Sequence, residues 1–126
     1  MNEPDFSKTP TRINFYPRKD AYITEYNCSK NYGGFPDLFN NRFTGPGDSY
    51  RSLIQFDYAC LGSNYIPPGS RIVSAHLHLN MFRNEISKTM LLNAYLIKQN
   101  WYEFTVKWNN QPLCSASPLG QVVLNK

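Results

Sequence analysis

The chain has 126 residues, the size of one ordinary domain able to close a single hydrophobic core. Its apolar fraction is 41%, but aromatics reach 15% and charged residues only 17%, which excludes a disordered, solvating chain. The net charge of +4 comes from thirteen Lys and Arg that are scattered along the chain, the densest group being Arg18-Lys19 before Asp20, so no nucleic-acid partner is expected.

Taken from the N-terminus, MNEPDFSKTPTR is not a secretion signal and forms an arm over residues 1–12, ahead of one domain over 13–126. No apolar stretch approaches the length of a membrane span. The polypeptide is therefore expected to be cytosolic when made, or to be a mature fragment. Residues 13–16 (INFY) and 21–25 (AYITE) flank Pro17 and read as an opening strand with a break. A long loop rich in Gly, Asn and Pro follows over 27–49. YRSLIQFDY (50–58) alternates as a strand, and NYIPPGS (64–70) is a turn-bearing connector.

RIVSAHLHLNMF (71–82) has the clearest period of two, with Val73, Ala75, Leu77, Leu79 and Met81 on one face and Ser74, His76, His78 and Asn80 on the other. MLLNAYLIK (90–98) is a further strand, FTVKW (104–108) places Phe104, Val106 and Trp108 on one face, and GQVVLNK (120–126) supplies a short terminal strand. The expected core is Val73, Ala75, Leu77, Leu79, Leu92, Leu96, Val106 and Trp108, and Leu77→Asp is expected to abolish folding. No segment carries a helical period over ten residues. The class is all-β, an antiparallel sandwich.

Chemistry-bearing residues are sparse. Both tryptophans lie in NWYEFTVKWNNQP (100–112), with Glu103 between them. An acid–base glutamate needs a partner carboxylate or a nucleophile in a cleft, and the acidic residues stand one by one. Glu103 is instead expected to open a strand and to accept hydrogen bonds from the Trp-Asn-Asn turn, with Trp108 on the core face and Trp101 covering the end of the sandwich. His76 and His78 face the same way, as zinc ligands can, but lack a third ligand at suitable spacing. No cofactor is expected unless Asp37 and Asp48, weak candidates, hold a calcium ion in the long loop. Cys28, Cys60 and Cys114 show no metal spacing, and their odd number leaves a thiol free or available to another chain. Cys28, just after a strand, is expected to be the most exposed.

The series PRKDAYITE, NYGG, YRSLIQFDY, PPGSRIVSAHLHL and NWYEFTVKWNNQP resembles the DNRLRE-type β-sandwich domain, in order, from about residue 16 to residue 119. The resemblance implies a jelly-roll-like sandwich without catalysis, of a kind found on surface and secreted proteins and in part classed as carbohydrate-binding modules. The family pattern continues into further strands after the Trp-Asn-Asn-x-Pro segment, so on that plan this sandwich is short of its last strands.

Two functions are expected from this reading. The first is a structural subunit that assembles into a homo-oligomer or filament, such as a spore-surface appendage, by strand complementation: an open sheet edge receives the arm of a neighbour. Phe6, Ile13 and Phe15 would anchor the arm, and Cys28 would cross-link subunits. Release by lysis would account for an extracellular or cell-surface place without a signal peptide. The alternative is a carbohydrate-binding module that holds a polysaccharide on Tyr26, Tyr32 and Phe35 of the long loop.

Overall fold

The computed structural model of the chain describes residues 9–42, 47–57, 66–84 and 88–125. It is built from antiparallel β-strands: β1 (Pro17–Thr24), β2 (Asn41–Arg42), β3 (Ser49–Phe56), β4 (Met90–Ala94) and β5 (Gly120–Leu124). The first three form a sheet in the order β1-β3-β2, and the last two form a two-stranded sheet. Among the described residues no helix is long and apolar enough to cross a membrane.

Pro17 opens β1, an edge strand, where a residue without an N–H is readily tolerated. The ladder with β3 slips between Pro17 and Lys19 and then runs in register from Asp20↔Ile54 through Ala21↔Leu53 and Ile23↔Arg51 to Thr24↔Tyr50. Alternation sends Ala21, Ile23 and Leu53 to one face of this sheet, where Trp101 and Val106 complete the buried core and Ile97 and Trp108 pack against it. Tyr22 lies on the opposite face, and there it too is buried. Thr24 ends β1 fully buried, its Oγ1 accepting the Tyr26 N–H at 3.1 Å, a side-chain turn that releases the chain into the long loop. The PPGS connector is a turn in which the Ser70 N–H donates to the Pro67 carbonyl at 3.2 Å. Its Gly69 has φ +82°, the position where a type II turn needs glycine.

Several expectations change here. The segment 71–82 is extended but joins neither sheet, and among the described residues no backbone hydrogen bond is made by 72–82. Val73, Leu77, Leu79 and Met81 are all exposed, Leu77 by 50%, as is Leu96, and Leu92 is only half-buried. A period of two sorts side chains onto two faces; burial also requires a ladder partner and a covering layer, and among the described residues 72–82 have neither. Of the expected core only Val106 is buried, with Trp108 partly so. The FTVKW strand is instead a turn over 103–105 running into a 3-10 turn at Trp108–Asn110, which leaves Phe104 exposed.

Candidate functional site

Two loops meet at the outer edge of β1. The loop after β1 folds back across the Tyr22 face of the sheet. Tyr32 stacks on Tyr22 with centroids 4.4 Å apart, and Phe39 and Phe35 meet the same ring edge-on at 5.0 and 6.0 Å. The Tyr32 hydroxyl accepts a hydrogen bond from Asn27 Nδ2 at 2.7 Å. The Lys30 ammonium lies 4.9 Å above Tyr32 and 5.7 Å from Phe35, a cation–π arrangement on the outer side of the cluster. Burial, reinforced by the nearby Tyr32 and Tyr50 phenols, raises the Tyr22 pKa above its ordinary value.

The second loop, 100–110, is tied to the first and to β1 by polar groups. Asn31 Nδ2 donates to the carbonyls of Glu103 at 2.9 Å and Val106 at 2.7 Å, while its Oδ1 accepts the Gly33 N–H at 3.1 Å. The Glu103 carboxylate accepts the Asp20 N–H at 3.1 Å, and the Asn109 N–H donates to the Cys28 carbonyl at 3.0 Å. Lys19 donates to the Trp101 carbonyl, its ammonium 4.4 Å above the Trp101 ring. Arg51 lies over Trp108 at 4.8 Å and donates to Gln111 at 2.8 Å. Glu103 therefore blunts the edge of β1, not the Trp-Asn-Asn turn; that turn is closed by Asn110, whose Oδ1 accepts the Lys107 N–H at 2.7 Å. Trp101 is only 4% exposed and belongs to the core itself.

Beside Trp101 the loop leaves a shallow cleft of about 230 Å³ lined by Asn100, Trp101, Tyr102, Thr105, Val106 and Asn110. Apolar ring and uncharged polar groups converge there. Of these residues the sequence singles out Trp101, as a cover for the end of the sandwich, and Val106, as a core residue, and neither as lining a cleft; the signal that could have found the cleft is the density of amides and aromatics between Asn100 and Asn110.

The residues expected to act are placed differently from one another. Tyr26 is 72% exposed and Phe35 46%, whereas Tyr32 at 7% is buried, its ring 5.1 Å from that of Phe35. Ile13 and Phe15 are half-buried, and Phe6 lies outside the described residues. Cys114 is exposed and Cys28 only half-buried, the reverse of the expected ranking, because the Cys28 segment is covered by the 100–110 loop; Cys60 lies outside the described residues. Asp37 is exposed and Asp48 half-buried. Among the described residues no group of three or more His, Cys, Asp or Glu could hold a metal ion, and His76 and His78 stand 6.3 Å apart as a tilted pair.

A protein-family model described as carbohydrate-binding module family 96 matches residues 11–126. The chain belongs to carbohydrate-binding module family 96. The match runs through both sheets and both loops of the module, so the two aromatic surfaces lie inside the family domain. No curated protein matches the module.

Proposed function

We propose that the chain is a non-catalytic module that binds a polysaccharide at the cell surface or outside the cell, with its strands wound in jelly-roll order. The observation that carries this reading is the family match over residues 11–126. Its chemistry agrees with the Tyr102 ring reaching solvent beside the Asn100 and Asn110 amides and the Thr105 hydroxyl, a combination that can hold a sugar by ring packing and hydrogen bonds, and with the exposed rings of Tyr26 and Phe35. Self-assembly through the 1–12 arm, the main expectation from the sequence, finds no support in the family match and falls behind it.

The test is retention of the purified chain on insoluble polysaccharides together with a glycan array. Saturable retention on at least one polysaccharide, reversed by the free oligosaccharide, is the expected result. Absence of retention across neutral and acidic polysaccharides would defeat the reading.

A further inference from the structure

We propose that residues 72–82 are a docking strand whose partner is the same strand of a second copy, run antiparallel and centred on Leu77. Such pairing lies outside the carbohydrate-binding reading and stands without it. The segment is extended and exposed at every residue, joins neither sheet, and makes no backbone hydrogen bond among the described residues. A chain in that state offers a row of N–H and C=O groups to a strand laid beside it. Both of its ends are held. The Ser70 N–H closes the PPGS turn on the Pro67 carbonyl at 3.2 Å, and the Asn84 amide donates to the Asn125 carbonyl at 3.1 Å, just past the end of β5. A tethered strand loses less freedom on pairing than a loose one.

The side chains choose the partner. Val73, Ala75, Leu77, Leu79 and Met81 alternate with Ser74, His76, His78 and Asn80, and the His76 and His78 rings stand 6.3 Å apart on the face they share. Reversed and laid on itself about Leu77, the segment matches like with like. Leu77 meets Leu77 of the second copy, Ala75 meets Leu79 and Val73 meets Met81, while Ser74 meets Asn80 and His76 meets His78 on the other face. A slip of one residue would set each apolar side chain against a polar one. A slip of two would bring Arg71 opposite Met81, or Arg83 opposite Val73.

Charge does not oppose the contact. Residues 72–82 contain no Asp, Glu, Lys or Arg, the side chains by which exposed strands ordinarily repel one another. Arg71 would face Arg83 of the second copy only at the two ends, where the ladder stops. Size sets the strength. The large apolar side chains of the segment are exposed by 50% at Leu77 to 66% at Phe82, so they have area to lose. A standard interface engages roughly 20–30 residues and about 800 Å² on each side, and the segment supplies about half of that. The dimer is therefore weak and reversible, with a dissociation constant on the order of tens of micromolar.

Sedimentation equilibrium of the full chain from about 1 µM to about 500 µM brackets that constant. A monomer–dimer equilibrium is expected, and hydrogen exchange should show alternate amides within 72–82 open in dilute solution and protected at the high end. Leu77→Asp and Leu77→Lys should each weaken the dimer at least about tenfold, with dilute thermal midpoints unchanged, and a mixture of the two should dimerise again because the charges lie opposite each other. A wild-type chain still monomeric at the highest concentration would overturn the proposal. So would protection of these amides in the dilute monomer, which would mean that the segment pairs within its own chain. A dimer that leaves their exchange unchanged would overturn it by placing the contact elsewhere, and no recovery in the mixture would overturn the centred register.

Discussion

Gly33 lies against the main-chain carbonyl of Glu103, so that a Cβ at position 33 would overlap the carbonyl oxygen and come within 2.6 Å of its carbon. The neighbour is backbone and cannot rotate away. Gly33→Ala is expected to cost about 2–3 kcal/mol, the upper part of the range for overpacking. Urea denaturation followed by Trp fluorescence measures it; an unchanged midpoint would show that the two loops part easily.

Asn31 serves three backbone groups at once, and its two donated bonds are the part that aspartate cannot supply. Asn31→Asp leaves the carbonyls of Glu103 and Val106 without their donor and points a negative charge at them. The expected loss is about 2–4 kcal/mol, more than for Asn31→Ala, which removes the bonds without adding the charge. Equal thermal midpoints for the two variants would contradict this.

Ile23 and Leu77 should respond in opposite ways to harsh substitution. Ile23 is among the most buried side chains, and Ile23→Ala is expected to cost about 3 kcal/mol from lost burial and the cavity left behind. Leu77 stands half in water on a segment that joins neither sheet, so Leu77→Asp should stay within about 0.5 kcal/mol of wild type. Denaturation curves of the two variants decide it, and an unfolded Leu77→Asp chain would mean that the 71–82 face is covered in solution.

Tyr22 gives the stability a pH dependence on the alkaline side. Its folded pKa is raised above the ordinary phenol value, first by burial and then by Tyr32 and Tyr50. The folded state therefore holds the proton more tightly than the unfolded chain, and the slope of stability with pH is negative in that range. The contribution is fully present below the unfolded value and is lost as pH rises through the folded one. Tyr22→Phe should flatten the decline in thermal midpoint above about pH 10; a decline as steep as that of wild type would assign it to other groups.

The thiols should separate by reactivity. Exposed Cys114 is expected to react with a thiol reagent several times faster than half-buried Cys28 in the native protein, since access limits the attack. Mass spectrometry of partly labelled protein reads the order directly.

The strands most legible in the sequence are β1 and β3, where alternation coincides with a ladder: AYITE and YRSLIQFDY pair almost throughout their expected lengths. The segment 71–82 has an even cleaner alternation and yet joins no ladder among the described residues, because periodicity is a property of one strand and pairing a property of two. The 100–110 loop escaped for a different reason. Its aromatic and β-branched residues suit a strand, but Asn31, Asn110 and Glu103 satisfy its backbone and that of β1 through side chains, and the chain turns instead of pairing. Such bonds join residues whose separation in sequence carries no period to detect. The family cadence reached the coarser result, a domain like a carbohydrate-binding module, which the family match supports without carrying the DNRLRE-type name.

The bonds from Asn31 to Glu103 and Val106, and from Asp20 to Glu103, close chain segments of 72, 75 and 83 residues. Contacts so far apart reward the chain only after most of its loop-closure entropy has been spent, which places the 100–110 loop among the slow, non-local features of folding. The cleft is thus acquired late and all at once. A synthetic peptide of residues 97–112 would carry every lining side chain and still lack the bonds from Asp20 and Asn31 that give the loop its shape.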